Sequence, residues 1–536
     1  MVTLLASLAV GALVAPGAEA QAPPPRSILL VPGDTGETDL DARREAQLAT
    51  LADLETFAFF RFVDKIAESG ITFRHQIVDD AGKDYKMVHY DHGNGVSVAD
   101  VDGDGRYDLY FLTQVGENEL WRNLGGGRFK NVTEEAGVGV ADRISVAASF
   151  ADIDNDGDPD LFVSTVKMGN LLFQNDGKGR FMDISKRAGV AYVGHSSGAV
   201  FFDYDRDGLL DLFVTNVGTY TTERRGRAGY FIGVDQAFSG HLFRERTETS
   251  ILYRNLGDNR FAEVSKETGL VDSSWSGDAS SVDLDGDGFQ DLYVLNMQGD
   301  DHFYRNIEGK RFEETGRKFF PKTPWGAMGI KFLDFDNDGL LDLMLTDMHS
   351  DMSELIGIER EKLKSRMQWT DQHLQGGVDN VFGNAFYRNM GDGRFEEVSD
   401  TMGAENYWPW GLSSGDLNAD GFEDVFVTAS MNYPFRYGVN SLLLNDMGKR
   451  FIDSEFILEV EPRKGGRVEV DWFDLDCSGE DREHRHCEGH EGPATVRGTL
   501  GTRSSVIFDL DQDGDLDIVT NDFGSAPMIL VSDLAE

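Results

Sequence analysis

Short strand-like runs recur along the chain, each too brief for a helix and each bounded by Gly- and Asp-rich breaks. Ala279 to Val282 and Leu292 to Leu295 flank one break; Ile330 to Leu333 and Leu343 to Leu345 flank another. The break is the same nine residues each time, Asp-x-Asp/Asn-x-Asp-Gly-x-x-Asp, starting at Asp100, Asp152, Asp203, Asp283, Asp334, Asp416 and Asp509. Each unit therefore predicts a β-hairpin with an acidic loop at its tip. A second shared segment follows, clearest at 120–129 (LWRNLGGGRF) and 386–395 (FYRNMGDGRF), with related copies around Asn175, Asn255, Asn306 and Asn445. Asn-x-Gly before Phe makes another tight hairpin, because Asn and Gly tolerate positive φ. The repeat thus reads as four strands, and such units repeated about every 40–50 residues predict propeller blades.

The ends of the chain bear on closure. The hairpin Phe is followed eight residues later by Gly in Phe129/Gly137, Phe181/Gly189, Phe261/Gly269 and Phe395/Gly403, and Phe62/Gly70 keeps that spacing ahead of the first loop. The seventh repeat stops too early for a fourth strand of its own. The expectation is an all-β, seven-bladed β-propeller of four-stranded blades over 58–536, its ring closed by the amino-terminal strand so that no sheet edge is left bare. Residues 21–57 read as a linker with a short helix at 38–56, capped by Thr38 or Asp39.

Alternate carboxylates on a tight loop converge on one point, and the Gly at the sixth position supplies a turn that a Cβ would obstruct. Oxygen donors without thiolate or imidazole suit a hard cation, so the loops predict up to seven Ca²⁺ ions rather than zinc. In the first loop Asp100, Asp102, Asp104 and Asp108 bind through side chains and Arg106 through its carbonyl. The second offers Asp152, Asp154, Asp156, Asp158 and Asp160; the third Asp203, Asp205, Asp207, Leu209 and Asp211; the fourth Asp283, Asp285, Asp287, Phe289 and Asp291. The fifth offers Asp334, Asp336, Asp338, Leu340 and Asp342, and the seventh Asp509, Asp511, Asp513, Asp515 and Asp517. Only the sixth departs, with Asn418 among Asp416, Asp420, Phe422 and Asp424. An EF-hand opens the same way but closes with Glu at position twelve between helices. Solvated acidic turns are the plain alternative, and seven in register weigh against it.

These motifs resemble the FG-GAP/VCBS repeat family over about residues 58–531, most closely its cartilage acidic protein-like branch. The resemblance implies an integrin-α-like propeller with Ca²⁺ in the blade hairpins and a role in adhesion or extracellular binding. Members of that branch often continue into an ASPIC/UnbV domain, whereas this sequence ends at Glu536 soon after the last repeat. Seven metal loops also exceed the subset of blades that carry them in integrin α chains, so integrin ligand binding is not carried over.

Net charge is −44. Seven dications would leave about 30 negative charges, which disfavours nucleic acid and anionic membranes as partners. An apolar stretch from Leu4 to Ala15 before Ala18-Glu19-Ala20 reads as a signal peptide over 1–20, cleaved before Gln21 or retained as an anchor, and predicts a secreted or periplasmic, monomeric body. Cys477 and Cys487 sit in an acidic insertion with His484, His486 and His490, which predicts a local disulfide or a Cys/His metal site.

If the acidic loops define one face, the insertions at 219–249, 347–383 and 459–501 fall on the other, where loops this long are usually functional or disordered. The first carries Tyr220, Tyr230, Phe231, Phe238 and Phe243 among Arg224, Arg225 and Arg227; the second a helical stretch from Ser353 to Met367. His92, His195, Trp275 and Trp408 stand eight residues before their loops and Trp325 nine, about 26 Å away at the start of the entering strands. These five residues are either a ligand rim or packing beneath the insertions. Function then divides between a non-catalytic binding or adhesion module for a protein or glycan and a carbohydrate-active lyase or dehydratase using His92 and His195 as acid or base.

Overall fold

The computed structural model describes residues 27–30, 39–78, 95–226, 229–235, 240, 242–348, 360–366, 370, 380–391, 393–430 and 436–535. Among them the chain is all-β and contains seven four-stranded antiparallel sheets, an arrangement that fits a β-propeller. The fourth sheet is typical, with strands Ser276–Val282, Asp291–Asn296, His302–Ile307 and Arg311–Glu314 side by side in chain order. The seventh takes three strands from the carboxy-terminal end, Thr502–Phe508, Asp517–Asp522 and Ile529–Ser532, and its fourth from Phe62–Asp64, with Phe62 opposite Ser532.

Each acidic loop joins a first strand to a second in one fixed register: the residue before the first Asp faces the ninth, as in Ala99 opposite Asp108, Val282 opposite Asp291 and Phe508 opposite Asp517. The second strands are buried along their whole length, for example Asp291–Asn296. Because successive side chains point to opposite faces, Tyr293 and Leu295 pack with Leu343 and Tyr387 of the next sheet, while Leu292 and Val294 pack with Phe202 and Phe213 of the previous one. A strand with neighbours on both faces has no polar side to show, hence the unbroken Leu-Tyr-Val-Leu. The same apolar sharing joins the seventh sheet to the first, through Val519 and Ile529 against Leu109 and Phe111. Fully burying each such side chain contributes roughly 1.5–3 kcal/mol.

Six of the seven first strands slip register partway down, between Ser145 and Ala148, Ser196 and Ala199, Ser276 and Asp278, Ala327 and Gly329, Pro409 and Leu412, and Thr502 and Ser504. These bulges free backbone groups from the ladder, and hydroxyls on the second strands take them up: Ser164 Oγ accepts from Ala147 N at 2.9 Å and Thr215 Oγ1 from Gly198 N at 2.7 Å.

The eight-residue Phe-to-Gly spacing corresponds to a short strand, one helical turn and a left-handed Gly: Phe129–Asn131, Thr133–Ala136, then Gly137 at φ 77°. Residues 62–70 repeat it, ending at Gly70 with φ 81°. The amino-terminal helix spans Leu40–Leu48, shorter than expected, with Asp39 at its cap position and Thr38 outside the described residues. Ser27–Leu30, expected as linker, is a strand in a three-stranded sheet with Glu469–Asp476 and Pro493–Thr499. Of the helix expected at 353–367, only 360–366 is described, and it is a turn rather than an α-helix. The first long insertion forms a hairpin of Thr221–Arg225 and Phe231–Gly233. Among the described residues, 27–29 and 474–496 form a compact unit of their own. Within it Cys477 is disulfide-bonded to Cys487, which leaves no thiolate for a transition metal there.

Candidate metal loops and the opposite face

In the first loop one Asp100 oxygen accepts the N–H of Asp104 at 3.1 Å and the other that of Gly105 at 2.8 Å. The same pair of bonds recurs in every loop, for example Asp152 with Asp156 and Gly157, and Asp509 with Asp513 and Gly514. The fourth loop residue is left-handed throughout, including Arg206 at φ 61° and Gln512 at φ 66°, and so is the Gly at position six. This double left-handed turn folds the carboxylates inward. Asp100, Asp102 and Asp108 bring oxygens within 4.8 Å of one another, as do Asp152, Asp154 and Asp160, and Asp203, Asp205 and Asp211; in the fourth and fifth loops the first, third and fifth positions do so.

The ninth Asp is the anchor. Asp108 accepts Val101 N–H at 3.1 Å and Asn123 N–H at 2.7 Å, one per oxygen. Burial pushes its carboxyl up to about 7, with the charges of Asp102 and Asp104 adding and the two N–H groups opposing. Asp160, Asp211, Asp291 and Asp517 are likewise pushed up to about 7 and Asp342 to about 6, burial leading in each, and Asp424 rises by the same cause. In all seven loops the ninth carboxyl is buried beside the other loop carboxylates, and burial is the chief cause of its rise. An all-oxygen donor set converging in that condition fits a hard dication such as Ca²⁺, held by the carboxylates and the seventh-position carbonyl. Such an ion would neutralise the mutual repulsion of the loop.

The hairpin Arg and Asn brace these loops. Arg122 reaches Asp102 at 2.8 Å and Arg254 reaches Asp205 at 2.6 Å, while Arg305 pairs with Asp285 and Arg388 with Asp336. The Asn amide ties a loop to the one before it: Asn175 donates to the carbonyls of Pro159 and Val101, Asn255 to Leu210 and Ile153, and Asn123 to Tyr107 and Leu510. The sixth loop is different. Asn418 donates to Thr56 Oγ1 at 2.7 Å and to the Phe57 carbonyl at 3.0 Å, and Thr56 donates to Asp420 at 2.5 Å.

At the other end of the first strands, the aromatic residues expected as a rim are buried. Trp275 and Trp325 are 1% exposed and Trp408 2%. Trp275 and Trp408 belong to an apolar cluster with Tyr220, Tyr230 and Phe231, and Gly218 and Gly240 approach the Trp275 ring so closely that a Cβ on either would collide with it. The three indoles therefore sit beneath the insertions as packing, without an open stacking face. His195 is enclosed too: Nδ1 lies 2.6 Å from Glu248 and Nε2 2.8 Å from Thr221 Oγ1. Burial would raise the Glu248 carboxyl, but the His195 hydrogen bond and charge outweigh it and hold it below its ordinary value. His195 is thus a clasp on the first insertion rather than a surface acid or base. His92, Phe238 and Arg227 lie outside the described residues. The guanidinium of Arg225 stands 4.4 Å over the Phe231 ring.

The FG-GAP-like repeat model matches residues 100–163, 152–214, 283–345 and 376–427, spans that each contain an acidic loop. The chain carries FG-GAP-like repeats. Its similarity among characterised proteins is to the cartilage acidic protein branch: cartilage acidic protein 1 of Xenopus tropicalis is 24% identical over 312 residues, 52% of this chain, and the Homo sapiens protein 24% over 264 residues, 48% of this chain. The alignments span 42% and 36% of those two proteins, so this chain matches well under half of each. Solved structures of similar arrangement include an Agrocybe aegerita lectin that recognises non-reducing terminal N-acetylglucosamine (16% identity, 68% of this chain and 81% of that one, TM-score 0.38). Another is the rhamnogalacturonan lyase YesW (13% identity, 82% and 71%, TM-score 0.37).

Within the FG-GAP-like repeat, two working positions escape a reading for ligands alone. The hairpin Arg is visible as Trp-Arg-Asn or Tyr-Arg-Asn, but its partner on the loop is long-range. Thr56 has no sequence signal at all; only Asn418, the one carboxylate slot lacking a charge, hints that something other than a cation meets the sixth loop.

Proposed function

We propose that this chain is an exported, calcium-loaded, seven-bladed β-propeller that serves as a non-catalytic binding or adhesion module for a protein or glycan. The observation that carries the reading is the acidic loop, seven times in one register with its ninth carboxyl buried and raised. In this reading the seven sheets are blades, Phe62–Asp64 closes the last one, and residues 1–20 are the export signal ahead of a propeller body at 58–536. Ions cross-link each hairpin tip, while the Asn amides couple neighbouring tips. Similarity to cartilage acidic protein 1 supports a binding module. Among the described residues no helix is long and apolar enough to cross a membrane, in keeping with an exported body.

The partner would meet the face opposite the loops, where the insertions gather exposed cations such as Arg224 and Arg225 on an acidic protein. The test is a glycan array and a pull-down from extracellular fluid, each with the full chain in calcium and in chelator. Capture that depends on calcium and weakens when Arg224 and Arg225 are changed to Ala is the expected result. Blank arrays and pull-downs in calcium would overturn the binding reading.

A further inference from the structure

The bulges in the first strands surround a cavity of about 360 Å³, lined by residues from the first strand, or the residue just before it, in all seven sheets. That volume lies at the small end of ligand sites. It exists because the repeat puts a small residue at one position, five before the first loop Asp: Gly95, Ala147, Gly198, Gly329, Gly411 and Ser504. The fourth repeat alone breaks the rule, with Asp278. Its carboxylate lies against Gly198, where a Cβ would collide with it, and it accepts the N–H of Ala279 at 2.9 Å. Burial pushes its carboxyl up to about 6, against that single N–H. Among the described residues, Asp278 is the one acidic residue lining the cavity. Arg503 also lines it, with its guanidinium 3.5 Å over the Trp410 ring and its Nε donating to Ser430 Oγ at 3.1 Å.

The other six repeats complete this ring without an acid. Bulges re-aim side chains and are frequent beside binding sites. We propose that the cavity is a binding site for a small ligand bearing an ammonium group, held by Asp278. The ammonium supplies the counter-charge the carboxylate lacks, the Gly and Ala walls leave room for its carbon chain, and Arg503 adds a positive wall that favours a zwitterion over a diamine. The site is separate from the acidic loops, and the inference stands whether or not these hold metal.

The test is calorimetric titration of the full chain in calcium with butylamine, 4-aminobutyrate and butyrate, repeated on Asp278→Asn and Asp278→Ser. Ser is the residue the seventh repeat already carries at this position, so the second variant has a precedent within the fold. Both amines are expected to bind the parent protein and butyrate not to. Each variant is expected to weaken the amines by about tenfold or more, with melting temperature unchanged. Absence of amine binding up to ~10 mM, equal affinity in the variants, or binding of butyrate instead would overturn the assignment.

Discussion

The first and sixth acidic loops share a backbone and differ in what meets the third position. Asp102 in the first is a carboxylate, one oxygen on Arg122 and its neighbours within 4.8 Å. Asn418 in the sixth donates its amide to Thr56 Oγ1 and the Phe57 carbonyl; a carboxylate there would find no donor on the carbonyl, and the Thr56 hydroxyl proton already goes to Asp420. The turn itself, with its capped N–H groups and left-handed fourth and sixth residues, is intact in both. Loop shape therefore goes with the first and sixth positions, while the third is a carboxylate in the first loop and an amide bound to the amino-terminal segment in the sixth. In the proposed reading, that segment does in the sixth loop part of what an ion would do in the others.

Stripping calcium is the broadest way to break this contrast. At extracellular dissociation constants of ~0.1 mM, each site filled in about 1 mM Ca²⁺ adds roughly 1.4 kcal/mol, or ~10 kcal/mol for seven. Excess chelator is expected to lower the melting temperature by on the order of 10 °C, read by calorimetry. Next in size, Asn255→Ala removes a side chain that braces two loops and caps Gly257, and leaves buried carbonyls unpaired. A loss of about 2–4 kcal/mol in denaturant melts is expected, with or without calcium. If that loss vanished in chelator, the Asn would be acting through the metal instead.

Asp100→Ala and Thr56→Val separate the two loops themselves. The first is expected to remove one calcium equivalent and about 1–2 kcal/mol, the second to cost about 1 kcal/mol with calcium content unchanged. Equal calcium loss in both would erase the distinction. The last prediction concerns the sign of the pH dependence. The carboxyls of Asp108 and Asp160, which ordinarily titrate near 4, are pushed up to about 7 by burial, so the folded chain holds protons that the unfolded chain releases. Metal-free protein should accordingly be more stable at pH 5 than at pH 8, losing stability as the pH rises through about 7. Calcium affinity should run the other way and fall from pH 8 to 5. A calcium titration and a melt at both values check the two signs.

Much of this organisation was legible in the sequence because the loops, hairpins and Phe-to-Gly spacing recur and each recurrence has a local cause. The pairing of Phe62–Asp64 with Ile529–Ser532 could be anticipated for the same reason. What was not legible depends on contacts distant in sequence. A Trp at a strand start looks alike whether it lines a rim or lies under Gly218 and Gly240. His195 looks like a free imidazole until Glu248, over fifty residues on, closes on it. The small residues five before six of the seven loops mean little in the sequence until the bulges show that they leave a space.

The measurement that bears most directly on the central claim is the calcium content of the full chain, determined by elemental analysis after equilibration in about 1 mM CaCl₂ and rapid desalting. The loops predict about six or seven ions per chain, falling by about one in Asp100→Ala. A content near zero, or one that Asp100→Ala leaves unchanged, would contradict the account.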